Sequence, residues 1–255
     1  MILVDLFIVI CGLVLGSFLF NTSYRIYQQQ SLWGRSRCPN CHTKISILAL
    51  IPVLGYIGIL GKCQSCNQKI PIWYPGAEVL NAILLLLIFK KTGLSLDLIR
   101  YICIFEILFF IAIYDLKSMQ IYPGSIILGL LIQMIWLFFI PQPEKISSII
   151  GLLIGAGLFH WVAYIYRAIR KRDGLGDGDA TLLGLVGFMM GWQSLFFIVL
   201  WASILGILGG LIIIRLNRQK IATKIAFGPW ISLAAFLVWW KPTLFNLNIV
   251  LENIF

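Results

Sequence analysis

The sequence predicts an all-α polytopic membrane protein of about eight transmembrane helices, with one polar segment inserted after the first of them. Three observations predict it. Hydrophobic residues make up 60% of the 255 residues and charged residues only 12%, against roughly 25% charged in soluble domains. The apolar residues gather in runs near the ~20 residues that cross a bilayer. The basic residues fall in the short stretches between those runs.

The apolar runs lie at about 2–21, 76–89, 95–114, 121–140, 147–166, 179–192, 194–214 and 225–241. The second and sixth are short for a bilayer. Met1–Phe20 lacks a basic leading region and a small-residue cleavage site, so it reads as a retained span and not as a removed signal peptide. The net charge of +10 raises nucleic acid as a partner, but its placement is that of topology signals and excludes that reading. With the N-terminus outside, 15 of the 20 basic residues face the cytoplasm and 5 face outward. Excess Lys and Arg mark the cytoplasmic side, so the chain is expected N-out and C-out, with Lys90 and Lys91 running against the trend. No internal repeat is evident. The expected divisions are a first transmembrane helix over 1–21, a cytoplasmic segment over 22–75, a seven-helix membrane domain over 76–242 and a short outer tail over 243–255.

The cytoplasmic segment carries Cys38-Pro39-Asn40-Cys41 and Cys63-Gln64-Ser65-Cys66, with 21 residues between the pairs. Each C-x-x-C turn can deliver two thiolates to one tetrahedral zinc, and the spacing lies one residue beyond a common zinc pattern. Disulfides are the alternative, and a reducing cytoplasm disfavours them. Four thiolates leave no open position for water, so such a site is structural. Cys38, Cys41, Cys63 and Cys66 are therefore expected to hold zinc and to fold a small domain. His42 is an alternative ligand. Cys11 and Cys103, inside apolar runs, read as small buried hydrophobes.

Acids near membrane-embedded helix ends are costly and are functional candidates for that reason. Asp115 ends the third run just before Lys117. Asp179 opens the sixth within Gly174-Leu175-Gly176-Asp177-Gly178-Asp179. Both fall on the cytoplasmic side at similar depth. Two close carboxylates can share one proton and titrate as a pair. One then activates water while the other donates to a carbonyl, which hydrolyses a peptide without a covalent intermediate. The structural alternatives are a helix cap for Asp179 and an ion pair with Lys117 or Arg25 for Asp115. Asp177 competes with Asp179, and spacing does not choose between them. Glu78, at the start of the second run, is either a ligand-binding acid or the partner of a basic residue. Glu106 stands mid-run. His160 reads as a packed or hydrogen-bonded core residue. No His-Glu-x-x-His or Gly-x-Ser-x-Gly is present, which removes two other hydrolytic chemistries. A metal-stabilised scaffold without chemistry and a proton-coupled transporter are the non-protease readings.

The ordered set of motifs resembles the type IV prepilin peptidases, the leader peptidase/N-methyltransferases. It comprises Gly16-Ser17-Phe18-Leu19, Tyr24-Arg25, the two cysteine pairs, Gly61-Lys62-Cys63, Tyr74-Pro75 with Glu78, Asp115, Gly176-Asp177-Gly178-Asp179, Leu182-Leu183-Gly184 and Phe227-Gly228-Pro229. The resemblance implies that Asp115 and Asp179 are the aspartyl protease pair and that Asp177 is the variable position of Gly-x-Gly-Asp. It implies a bacterial inner-membrane enzyme with a periplasmic N-terminus and an active site at the cytoplasmic face. Its substrates would be type 4 prepilins or pseudopilins, cut after a glycine. It also implies S-adenosylmethionine as the methyl donor for the new N-terminus; Glu78, near the cysteine segment, is separately a candidate to contact the new amine or that cofactor. The chain departs from the family pattern at Phe20, which precedes Asn21, and at Ala49 and Gly55 around Leu50-Ile51-Pro52.

Overall fold

The structure, a computed structural model, describes residues 2–139, 142–171, 176–217 and 225–241. The expected tail at 243–255, together with Arg172, Asp173, Gly174, Arg218, Lys220 and Lys224, lies outside the described residues. The described chain is helical and contains no strand, only two isolated bridges. The helices are α1 (Ile2–Tyr27), α2 (Leu54–Gly58), α3 (Trp73–Thr92), α4 (Leu96–Ser118), α5 (Pro123–Trp136), α6 (Gln142–Leu153), α7 (Phe159–Arg170), α8 (Asp177–Met190), α9 (Trp192–Asn217) and α10 (Gly228–Trp240). Each of the eight apolar runs contains a helix among the described residues. Four helical stretches are long and apolar enough to cross a membrane: Ile2–Tyr27, Trp73–Thr92, Glu144–Arg170 and Trp192–Ile212. The second run, expected to be short, is a 20-residue helix, because Trp73-Tyr74-Pro75 and Lys90-Lys91 extend it at both ends. The third of these stretches is continuous because a π-turn over Ile154–Leu158 joins α6 to α7.

The chain divides into two compact units, Met1–Ile102 and Cys103–Phe255, with the boundary inside α4. In the first unit, α1 and α3 pack closely through small residues. A side chain at Gly12 would meet the backbone of Ala82, and one at Gly16 would meet Asn81 and Glu78. Small residues four apart let membrane helices approach at backbone distance. The Asn81 amide donates to the Gly12 carbonyl at 3.1 Å and closes the seam. At the other end of the pair, Lys90 meets both carboxylate oxygens of Asp5, at 2.8 and 2.7 Å. The start of α1 and the end of α3 therefore lie together. Cys11 and Cys103 are only half-buried, not enclosed, as suits thiols on helices with apolar surroundings.

Between α1 and α3 the chain forms two matching knuckles, which overturns the expectation of no internal repeat. Arg37-Cys38-x-x-Cys41-His42-x-Lys44-Ile45 recurs 25 residues later as Lys62-Cys63-x-x-Cys66-Asn67-x-Lys69-Ile70. The bridges Arg37–Lys44 and Lys62–Lys69 occupy equivalent places. So do the bonds from His42 N–H to Cys38 O and from Asn67 N–H to Cys63 O, both 2.9 Å. His42 and Asn67 both take positive φ, 55° and 57°, where His and Asn are tolerated better than most residues.

In the second unit, α8 is the central helix. Ala180 and every residue from Leu182 to Met189 are buried, as expected of a helix that is apolar on all sides. At 14 residues it is roughly 21 Å long. A glycine seam holds it against the α6–π segment: side chains at Gly151 and Gly155 would strike the carbonyls of Gly187 and Leu183. Gln133 of α5 donates to the Phe188 carbonyl at 3.0 Å. Opposite, α10 docks on α4. Ser232 donates to the Leu108 carbonyl at 3.1 Å, and Phe105 packs against Phe236 and Trp239 with ring centroids 5.3 and 5.0 Å apart. These contacts fix α4 and α8, which carry the acids described next, and α10 against α4.

Candidate functional site

Asp115 lies in the last turn of α4 and is 3% exposed. Among the described residues, one donor reaches its carboxylate: the Gly228 N–H at the start of α10, 2.8 Å from Oδ2. Arg25 donates to the carbonyls of Ser31, Leu32 and Gly34.

Asp179 is the third residue of α8, after the N-cap Gly176. It is therefore not the N-cap. The carboxylate passes close over Gly176, where a side chain would sit 3.1 Å from Asp179 Oδ2. A side chain at Gly178 would stand 3.2 Å from Ile121, so the start of α8 lies beside the segment that follows α4, and the fold brings two acids 64 positions apart into one neighbourhood. Asp177 goes elsewhere: it is exposed and pairs with Arg167 at 2.7 Å. Geometry thus separates two acids that spacing treats alike: Asp179 lies over Gly176, and Asp177 turns out to Arg167. Two helix starts converge on the pair, and unpaired N–H groups there favour negative charge.

The four cysteines form the second cluster. Their sulfurs all lie within 4.8 Å of one another, with Cys38–Cys66 and Cys41–Cys63 each at 3.8 Å. Zn–S bonds of 2.3 Å in a tetrahedron put sulfurs about 3.8 Å apart, so the cluster fits a single zinc-sized ion. No disulfide joins them. His42 stands in the turn and is not part of the cluster. The hydroxyl and backbone N–H of Thr43 beside Cys41 pull its thiol down to about 6, and backbone amides of Cys66 and Ser65 lower Cys63. One cysteine of each knuckle is thus drawn toward the thiolate, the form that binds metal, while Cys66 is raised.

Glu78 is buried, and among the described residues its partner is a backbone amide, not the basic residue that was one of its two expected partners. Its Oε2 accepts the Val53 N–H at 2.7 Å. Val53 is the centre of a γ-turn, φ 60° and ψ −54°, closed by Leu54 N–H to Pro52 O, a strained conformation for a β-branched residue. Glu78 lines a cavity of about 1040 Å³ within the first unit, together with Asn21, Tyr24, Trp33 and Tyr74. His160 Nδ1 contacts the Ala156 carbonyl at 2.7 Å, which satisfies it structurally. Sequence reasoning singled out Phe227-Gly228-Pro229 without giving it a role. It missed Val53 altogether.

Comparison with known proteins places this arrangement. Residues 10–92 match the bacterial peptidase A24 N-terminal domain, and residues 102–211 match the type IV leader peptidase family. A prepilin leader peptidase/N-methyltransferase of Bacillus subtilis is 30% identical over 90% of this chain and 91% of its own length. The chain belongs to the type IV leader peptidase family. Proteins of the same description from Pseudomonas putida and Dickeya chrysanthemi are each 27% identical, covering 95% and 89% of this chain and 92% and 89% of their own lengths. No solved structure gives a significant match. The four cysteines fall in the first matched segment and both aspartates in the second. Gly228 lies beyond either.

Proposed function

We propose that the chain is an aspartyl endopeptidase of the bacterial inner membrane, which removes the basic leader of type 4 prepilins or pseudopilins after a glycine at the cytoplasmic face. The observation that carries this reading is that Asp115 and Asp179 stand at the neighbouring ends of α4 and α8. The relatives' description as prepilin leader peptidases supplies the substrate class. In the reaction, one carboxylate takes a proton from water as the oxygen attacks the scissile carbonyl. The other, protonated, donates to the carbonyl oxygen. Collapse of the tetrahedral intermediate returns a proton to the leaving amine, and the pair is ready again. The substrate's own apolar helix stays in lipid while its leader extends into water.

The relatives' description also supports a second activity, methylation of the new N-terminus. S-adenosylmethionine would supply an electrophilic methyl group. The cavity around Glu78 suits it chemically: Tyr24, Trp33 and Tyr74 offer aromatic faces to a sulfonium, Glu78 offers an anion, and Arg25 and Arg35 offer partners for a carboxylate. Zinc in the four-cysteine cluster would brace the knuckles that wall this cavity, since Cys38 and Cys63 line it.

Mass spectrometry of a co-expressed prepilin tests both activities. A shortened chain bearing an N-terminal methyl supports both. A shortened, unmethylated chain supports the peptidase alone. An uncut chain overturns the proposal.

A further inference from the structure

We infer that Gly228 is a positioning residue for the protease pair: its backbone N–H holds Asp115 by one oxygen and orients the carboxylate for reaction. The inference rests on the catalytic reading of Asp115 given above.

The argument begins with the first turn of α10. A helix start leaves backbone N–H groups without partners inside the helix, and each can be followed here. Trp230 and Ile231 both donate to the Phe227 carbonyl, at 3.1 Å. Pro229 has no N–H. Gly228 alone is left, and its N–H goes to Asp115 Oδ2 at 2.8 Å in a buried site. The Phe-Gly-Pro sequence thus presents a single donor at the helix end. Proline at 229 removes the neighbouring donor, and its ring fixes φ near the helical value.

Space gives an independent reason for glycine at this position. A Cβ at 228 would stand 2.8 Å from Asp115 Oδ2 and 3.3 Å from both Cβ and Cγ of Asp115. At 3% exposure Asp115 has little room to withdraw. Any larger residue would therefore turn the carboxylate away from Asp179. The φ of Gly228 is not in the left-handed region, so close approach is the reason for glycine, and backbone conformation is not. The consequence for chemistry is directional. With Oδ2 anchored, Oδ1 is the oxygen that no hydrogen bond reaches among the described residues, and it is the one left to meet water or substrate. Preorganising a reacting group in this way lowers the barrier without changing how tightly substrate binds.

The test is kinetic, on the full-length protein in detergent with a prepilin substrate. Gly228→Ala should lower kcat about 10- to 100-fold, the range for losing a hydrogen bond to a charged group, with KM unchanged. It should also move the pH–rate profile to higher pH by on the order of one unit, because a carboxylate deprived of a donor holds its charge less readily. Ser232→Ala, one turn further along α10, weakens the docking of the same helix on α4 without touching Asp115. It should leave kcat and the profile near wild type. If Gly228→Ala does not fold, glycolate at 228 replaces the N–H with an ester oxygen and adds no bulk, and the same shift is expected. Wild-type kcat and pH profile in the glycolate protein, or matching losses in Gly228→Ala and Ser232→Ala with no profile shift, would overturn the inference. Full cleavage by Asp115→Asn would sink the catalytic reading and this inference with it. An inactive Asp115→Asn beside a wild-type glycolate protein sinks the inference alone.

Discussion

Arg167 of α7 forms an ion pair with Asp177, 2.7 Å from Nη2 to Oδ1, and so draws that acid to the surface of the second unit. Asp179, two residues later, stays partly buried and senses Asp115. Asp115→Asn and Asp179→Asn should each abolish prepilin cleavage while the protein still inserts. A dyad works as a unit, so the double variant should lose no more than either single one. Asp177→Asn should retain most activity, because it removes only an exposed pair worth up to about 1 kcal/mol. A gel assay of leader removal with the three variants decides the matter; an inactive Asp177→Asn beside an active Asp179→Asn would reverse the assignment.

The cysteine cluster makes a separate prediction. Sulfurs spaced for a tetrahedral ion should hold one zinc per chain, measurable by elemental analysis of the purified protein. Cys38→Ser with Cys41→Ser should lose that metal and expose the 22–75 segment to limited proteolysis, since structural zinc supplies folding free energy directly. Metal content unchanged in that variant would refute the site. Each knuckle contributes one cysteine to each close sulfur pair, so Cys63→Ser with Cys66→Ser should behave alike.

Much of this was legible in the sequence, and the limits are instructive. Helix positions followed from runs of apolar residues, and the metal cluster from local spacing. Asp115 and Asp179 stood out because acids in such surroundings are rare. Spacing alone did not separate Asp179 from Asp177, and only the resemblance to the family did; the contact of Asp177 with Arg167 arises only when α7 and α8 have folded. The bond from Gly228 to Asp115 spans 113 positions, and no periodicity reports it. The knuckle repeat was visible in principle. Its signal is diluted to Cys, Lys and Ile at fixed offsets, with His42 and Asn67 alike only in tolerating positive φ. The strained Val53 turn has no sequence signature, since valine is among the last residues expected there.

The glycine seam around α8 predicts a stability effect that also reaches the site. Gly151 faces the Gly187 carbonyl with no room for a side chain. Gly151→Val should destabilise by about 1–3 kcal/mol, the usual range for overpacking, read as a lower thermal midpoint in detergent. Gly157, whose added Cβ would meet nothing within 4 Å, is the matched control. Gly157→Ala should melt like the wild type. Equal melting of Gly151→Val and wild type would show that the seam gives way.

The Asp5–Lys90 pair bears on orientation. Lys90 and Lys91 stood against an N-out chain, because lysines favour the cytoplasmic side. With Asp5 on Lys90, one of those two charges is neutralised where it sits. The pair is partly exposed, at 42% and 26%, so it contributes no more than about 1 kcal/mol to stability. Its significance is that the start of α1 and the end of α3 lie at one end of the helix pair, and the count of basic residues elsewhere predicts that end to be the outer one. Alkaline phosphatase fused after Gly93 should be active. The same reporter fused after Ser118, three residues past Asp115, should be inactive. The opposite pattern would invert the chain and put the protease pair on the wrong side for a cytoplasmic leader.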